Sequence, residues 1–112
     1  VPGSSAFPPS VRALIQRRAG GCCELCGARV EHLELHHRQY RSRGGPGTVE
    51  NGLALCGWGN HTGCHGWAHT SPLAASWGAS LPSGSDPAAE PVWSEPRGCW
   101  VQLLPDGRAE PT

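Results

Sequence analysis

Two sets of side chains in this sequence could each hold a metal ion without sharing a ligand. Cys23 and Cys26, two residues apart and followed by Gly27, form the half-site of a zinc knuckle, and Cys56 and Cys64 offer a second pair. Four thiolates saturate tetrahedral zinc and leave no open position, so this set reads as a structural Zn²⁺ site. Its second pair is loosely spaced, with seven residues between Cys56 and Cys64. Cys22 could replace Cys23, and Cys99 is a stray further candidate; both are expected to be free thiols. The other set is imidazole: His36, His65 and His69. Three neutral nitrogens leave a coordination position open, as a catalytic divalent ion (Mg²⁺, Mn²⁺, Ni²⁺ or Zn²⁺) requires.

His37 follows His36 directly, so in a regular strand it points to the other side and does not share that ion. An imidazole with a reference pKa near 6.5 suits a general base at neutral pH. Asn51 is placed to orient that ring or its backbone, since a catalytic base needs an orienter. An open metal position beside a base fits hydrolysis of a phosphodiester, with His37 activating water. Arg41 and Arg43, in the loop that follows, could hold neighbouring phosphates. His32 and His61 read as surface residues.

These residues need short elements to position them. Residues 33–36 alternate enough for a strand, and residues 53–55 read as a second strand ending at Cys56. Between them, residues 39–48 form a Gly-rich loop. Residues 57–63 are a polar turn, and a short helix over 64–69 puts His65 and His69, four apart, on one face. Upstream, Ser10 caps a helix over 11–18 with Val11, Leu14 and Ile15 on one side, and Gly20-Gly21 stops it. Arg12, Arg17 and Arg18 line the opposite side, where they could approach a nucleic-acid backbone, although an ordinary solvated face is the favoured reading. Downstream, Ser71-Pro72 opens a helix over 72–77 ended by Gly78. Residues 79–91 read as a linker, and 99–104 as a strand pairing with Val92-Trp93 before the turn Pro105-Asp106-Gly107. The expected organisation is a disordered leader over 1–9, a metal-bearing domain over 10–70, and a C-terminal helix, linker and hairpin over 71–112.

Composition explains why a staple is needed. Leu, Ile, Val and Phe number 18 of 112 residues, below the roughly 20% of a well-cored chain. A small domain with so thin a core usually relies on a metal or disulfides. Zero formal net charge argues against the charged-disordered class. All nine basic residues are arginine, and they are uneven: residues 1–49 hold seven against three glutamates, and residues 50–112 hold two against six carboxylates. The basic half suits a polyanion; the plainer alternative is an uneven solvated surface. No stretch approaches the roughly 20 apolar residues of a membrane span. The first nine residues carry no secretory signal, so a cytoplasmic setting and metal-bound cysteines are expected.

Taken in order, Cys23-x2-Cys26-Gly27, Glu34-x-His36-His37, Ser42-x-Gly44-Gly45, Asn51-x4-Cys56 and Cys64-His65-x3-His69 resemble the His-Asn-His (HNH) endonucleases, in particular the small zinc-containing phage and bacterial type. The match runs over about residues 20–70. The resemblance implies a small α+β fold with a ββα-metal, treble-clef-like core stapled by structural zinc. It further implies that His36 is a metal ligand, that His37 is the general base, and that DNA is cut to leave 5′-phosphate and 3′-hydroxyl ends. Phage terminase subunits join DNA as expected partners, in a bacterial host or phage-infected cell. Two departures stand out. Gly52 replaces the apolar residue that usually follows the Asn and is expected to loosen the second strand. The long Cys56–Cys64 spacing brings in His61 as a competitor for zinc. Two rivals remain: a zinc-stabilised DNA-binding module without cleavage, which does not need His37, and a disulfide-stapled secreted domain.

Overall fold

The two glycines after Ala19 stop the first helix as expected. In the computed structural model, which describes residues 6–112, α1 spans Pro9–Ala19 and closes on Gly20 at φ 61°. Its start differs from the expected Ser10 cap. Pro8 is the N-cap and no side chain caps the helix; Pro9, with φ already fixed near the helical value, opens it instead. The leader expected over residues 1–9 falls partly outside the described residues. Its end does not match that expectation: Phe7 is buried with Ile15, Val49 and Ala54. Arg18 likewise leaves the solvated side. It is buried against Glu24, its Nε donating to Oε1 at 2.6 Å and Nη2 to Oε2 at 2.9 Å. Arg12 and Arg17 stay exposed.

Alternation around His36 and His37 produces β1, Glu34–His37, which pairs antiparallel with β2, Gly52–Leu55. Each starts or ends one residue from the expected bounds. All four residues of β2 are buried. Gly52 tightens this arrangement rather than loosening it, because a Cβ there would collide with Ile15 Cδ1 of α1. The glycine is what lets the helix lie on the strand. After the turn beyond Leu55 comes α2, Gly63–Thr70.

The C-terminal part departs most from the sequence reading. Residues 72–77 form only a 3-10 turn, Pro72–Ala74, and further turns to Gly78, although Ser71 Oγ does accept from Leu73 N as a cap. The expected hairpin is a three-stranded antiparallel sheet: β3 (Val92–Ser94), β4 (Cys99–Leu103) and β5 (Ala109–Pro111). Residues 79–91 are not a free linker. Ala79, Ser80 and Leu81 are buried, and Leu81 N donates to Arg38 O at 2.7 Å. Both sheets share one core, in which Leu25, Leu53 and Leu55 meet Val92, Val101 and Leu103. Among the described residues the fold is thus a small α+β assembly of two helices and two small antiparallel sheets. No helix among the described residues is long and apolar enough to cross a membrane.

Arg38 explains the packed strap. The side chain is fully buried and gives its donors to five backbone carbonyls: Gly78, Glu50, Pro87, Glu90 and Pro91. A guanidinium presents five N–H groups in a rigid fork, so this is a complete use of its donors. Arg38→Met is therefore expected to destabilise the fold by about 3 kcal/mol or more, since it strands buried carbonyls. Chemical denaturation of this variant beside Arg108→Ala, which removes only exposed ion pairs, checks it. Equal midpoints for Arg38→Met and the parent would refute the role.

Candidate metal centres

The first centre is assembled from two tight turns. Gly27, at φ 81°, lets the Cys23–Cys26 segment fold back, with Gly27 N donating to Cys23 O at 2.8 Å and Ala28 N to Cys26 Sγ at 3.5 Å. Cys56 follows the end of β2, and Cys64 sits in the first turn of α2, where its N–H donates to Cys56 Sγ at 3.4 Å. The loose spacing of this pair has a local cause. Gly57 and Gly63, both at positive φ, pass so close that a Cβ on either would strike the backbone at the other end of the loop. Residues 58–62 are pinched out as a bulge, and the two cysteines stay as near as in a short knuckle.

The four sulfurs lie within 4.8 Å of one another, and Cys26 and Cys56 are 3.8 Å apart. Zn–S bonds of about 2.3 Å give a tetrahedral edge of about 3.8 Å, so the spacing suits zinc. None of the six cysteines is in a disulfide. The crowding also shows in their acidity. Cys23 is lowered to about 4, chiefly by its hydrogen bond with Cys64, and the same contact raises Cys64. Burial raises Cys26. One thiolate in the cluster thus opposes the next, a competition that a bound dication relieves. Cys22, Cys99 and His61 belong to neither candidate group.

The second centre joins β1 to α2. His65 and His69, one helical turn apart, face His36, and the three ligand nitrogens lie within 4.8 Å of one another. His36 Nε2 donates to Ala79 O at 2.7 Å, which leaves Nδ1 as its ligand atom. That Nδ1 is buried without a hydrogen-bond partner, a state that coordination would resolve. Burial lowers the His36 pKa to about 3 and also lowers His69. These imidazoles are neutral at neutral pH, the form that binds metal. His65 Nδ1 donates to Glu34 Oε1 at 2.8 Å, turning Nε2 toward the group. Tyr40 stacks on His69 with centroids 4.7 Å apart and donates its hydroxyl to Ala68 O at 2.6 Å.

His37 does not join this group. It stacks on Phe7 at 4.1 Å and lines a cleft of about 320 Å³ together with Leu35, Tyr40, Arg41, Ser42, Asn60, His65 and His69. Asn51 is fully buried and acts on backbone: Gln39 N donates to its Oδ1 at 2.8 Å, and its Nδ2 donates to Gln39 O at 3.1 Å and Pro46 O at 2.9 Å. It clamps the chain two residues beyond His37. The paired arginines separate. Arg41 lines the cleft, whereas Arg43 lies 4.1 Å over the Tyr40 ring and donates to Ser80 Oγ and Leu81 O, both at 3.1 Å. Arg43 is therefore a brace between the loop and the strap rather than a side chain reaching outward for phosphate.

Sequence reasoning gave no role to Glu34, Tyr40 or Phe7. A usable signal existed for Glu34: two residues before His36 in a strand, it shares that histidine's face. Ala79 O reaches His36, and Phe7 reaches His37, from distant chain, and neither leaves a local pattern. Comparison of the chain with protein-family models and with curated proteins finds no match.

The two centres should respond differently to loss of a ligand. Cys64→Ser is expected to abolish cooperative unfolding, since structural zinc sites contribute roughly 10–16 kcal/mol of apparent binding free energy in zinc-finger peptides. His65→Ala is expected to stay folded and to bind one equivalent of metal fewer, measured by circular dichroism and metal analysis after loading with zinc. Loss of folding in His65→Ala, or a normal melt in Cys64→Ser, would reverse the assignment.

Proposed function

We propose that this chain is a metal-dependent DNA endonuclease of the His-Asn-His type, with β1, β2 and α2 as its ββα-metal unit. The observation that carries the reading is the convergence of three imidazole nitrogens, one of them the partnerless His36 Nδ1, with two of these histidines, His65 and His69, lining the same cleft as His37. A closed tetrathiolate cluster next to it supports a division between folding and chemistry.

In this reading His36, His65 and His69 would hold a divalent cation, with His36 Nδ1, His65 Nε2 and a ring nitrogen of His69 as the available donors. Such an ion, when bound, neutralises charge developing on the phosphoryl oxygens and on the departing oxygen. The protein's own groups do the rest. His37, held by its stack on Phe7, takes a proton from a water aligned for in-line attack on phosphorus. The new bond forms between that water oxygen and phosphorus as the bond to the 3′ oxygen breaks; that oxygen takes a proton from solvent, giving 5′-phosphate and 3′-hydroxyl ends. Glu34 keeps His65 in the tautomer that leaves Nε2 available, the usual service of a carboxylate behind a metal-binding histidine. Asn51 fixes the turn after β1, so that Arg41 is presented at the cleft where a flanking phosphate would lie. Arg43 stabilises that loop from behind.

Supercoiled plasmid incubated with the zinc-stapled protein and Mg²⁺, Mn²⁺, Ni²⁺ or added Zn²⁺ should convert to nicked or linear forms. His37→Ala should lower the rate by about 10²-fold or more, the usual worth of a positioned general base, while binding DNA as the parent does. Absence of product with every cation, with DNA binding unaffected by His37→Ala, would establish a non-catalytic DNA-binding module in place of a nuclease.

A further inference from the structure

The bulge between Cys56 and Cys64 carries a feature that the metal centres do not use. Trp58 is 65% exposed, yet it is held on several sides. Its ring stacks face to face on His32, with centroids 3.7 Å apart and planes 8° from parallel. Its backbone N–H donates to Thr62 Oγ1 at 2.8 Å across the bulge. The adjacent Gly59 N donates to Glu34 Oε1 at 2.6 Å, and His32 Nε2 lies 3.0 Å from Glu34 Oε2. Glu34 is the carboxylate that orients His65. The indole is thus displayed on a rigid mount, one carboxylate away from the imidazole group. Asn60, two residues along the same bulge, lines the cleft with His37 and Arg41.

We infer that Trp58, backed by His32, is a stacking platform for an unpaired nucleobase of a DNA strand whose phosphate lies in the His37 cleft. The inference rests on the nuclease reading and adds a substrate class to it: single-stranded DNA or duplex with a splayed base. An exposed aromatic ring fixed in one orientation stacks a base without paying to order its own side chain. Such stacking tolerates any sequence, because every base has a π face. A base inside an intact duplex has both faces covered, so only an unpaired or extruded base can use the platform. Continuity with the cleft favours nucleic acid over a protein partner. A strand with its phosphate beside Arg41 and His37 also meets the bulge at Asn60, two residues from Trp58.

The test uses the full chain in its zinc-bound form with His37→Ala as background, so that no strand is cut during the measurement. Fluorescence anisotropy of a labelled single-stranded 12-mer should show affinity falling about tenfold or more on Trp58→Ala, in line with the worth of one base–aromatic stack. Trp58→Phe should keep most of the affinity. Replacing the bases of the strand by abasic sites should weaken binding of the His37→Ala protein by a similar factor and hardly affect the Trp58→Ala version. Equal affinity with and without Trp58, equal losses in the Ala and Phe variants, or indifference to abasic sites would each overturn the platform. Trp58-dependent binding, with no cutting by the protein that retains His37, sinks the nuclease reading alone. Cutting that is indifferent to Trp58→Ala, on single strands as on duplex, sinks the platform alone.

Discussion

Four sulfur atoms drawn into one cluster are the constraint on which the rest of this chain depends. With 18 aliphatic and Phe residues in 112, apolar burial alone leaves little margin against chain entropy. The cluster ties the turn at Cys23 to the end of β2 and the start of α2. Cys23 and Leu25 are themselves buried among Leu53, Leu55 and Ala68, so closing the cluster also closes the main core. Because His65 follows Cys64 in α2, the same closure sets where the second ligand group stands. Position and stability thus come from one contact set, and the imidazole group inherits its geometry from the thiolates.

A second constraint is electrostatic. Arg38 lies directly after the histidine pair and is buried among five carbonyls rather than beside a carboxylate. Burial lowers its pKa to about 10, which still leaves it charged at neutral pH. The oriented carbonyl dipoles compensate that charge and pull residues 78–91 over β1. One consequence reaches the metal centre: Ala79 O, carried by this strap, fixes His36 through Nε2. What holds the C-terminal half in place therefore also sets the tautomer of a ligand in the N-terminal half.

Much of the candidate site was legible in the sequence because it is local. The two-residue spacing of Cys23 and Cys26, the i, i+4 pair His65 and His69, and the alternation of His36 and His37 each encode a geometry within a few residues. The strands and helix that carry them follow from the same short patterns, with ends misplaced by a residue or so. What could not be read depends on contacts between distant segments. Pro and Gly in 79–91 suggest a linker, and contacts from the distant Arg38, Gln39 and Arg43 make that stretch a packed strap. Gly52 suggested a weak strand until Ile15 of α1 proved to occupy the space of its missing side chain. The sequence suggests a solvated charge at Arg18 and a phosphate contact at Arg43; Glu24 and the Tyr40 ring engage them instead. β5 was missed because Ala109–Pro111 has no strand-like pattern of its own and forms only along β4.

Two candidate metal centres of different chemistry lie in this one chain, a closed one of sulfur and an open one of nitrogen. Titrating the metal-free protein with Co²⁺ and following its visible and near-ultraviolet absorption tests this most directly. The account predicts a first equivalent with intense thiolate-to-cobalt charge transfer and tetrahedral bands. It predicts a second, weaker-binding equivalent with only the faint bands of nitrogen and oxygen coordination, absent from His36→Ala. A single equivalent in all, or a second one that again shows thiolate charge transfer, would contradict it.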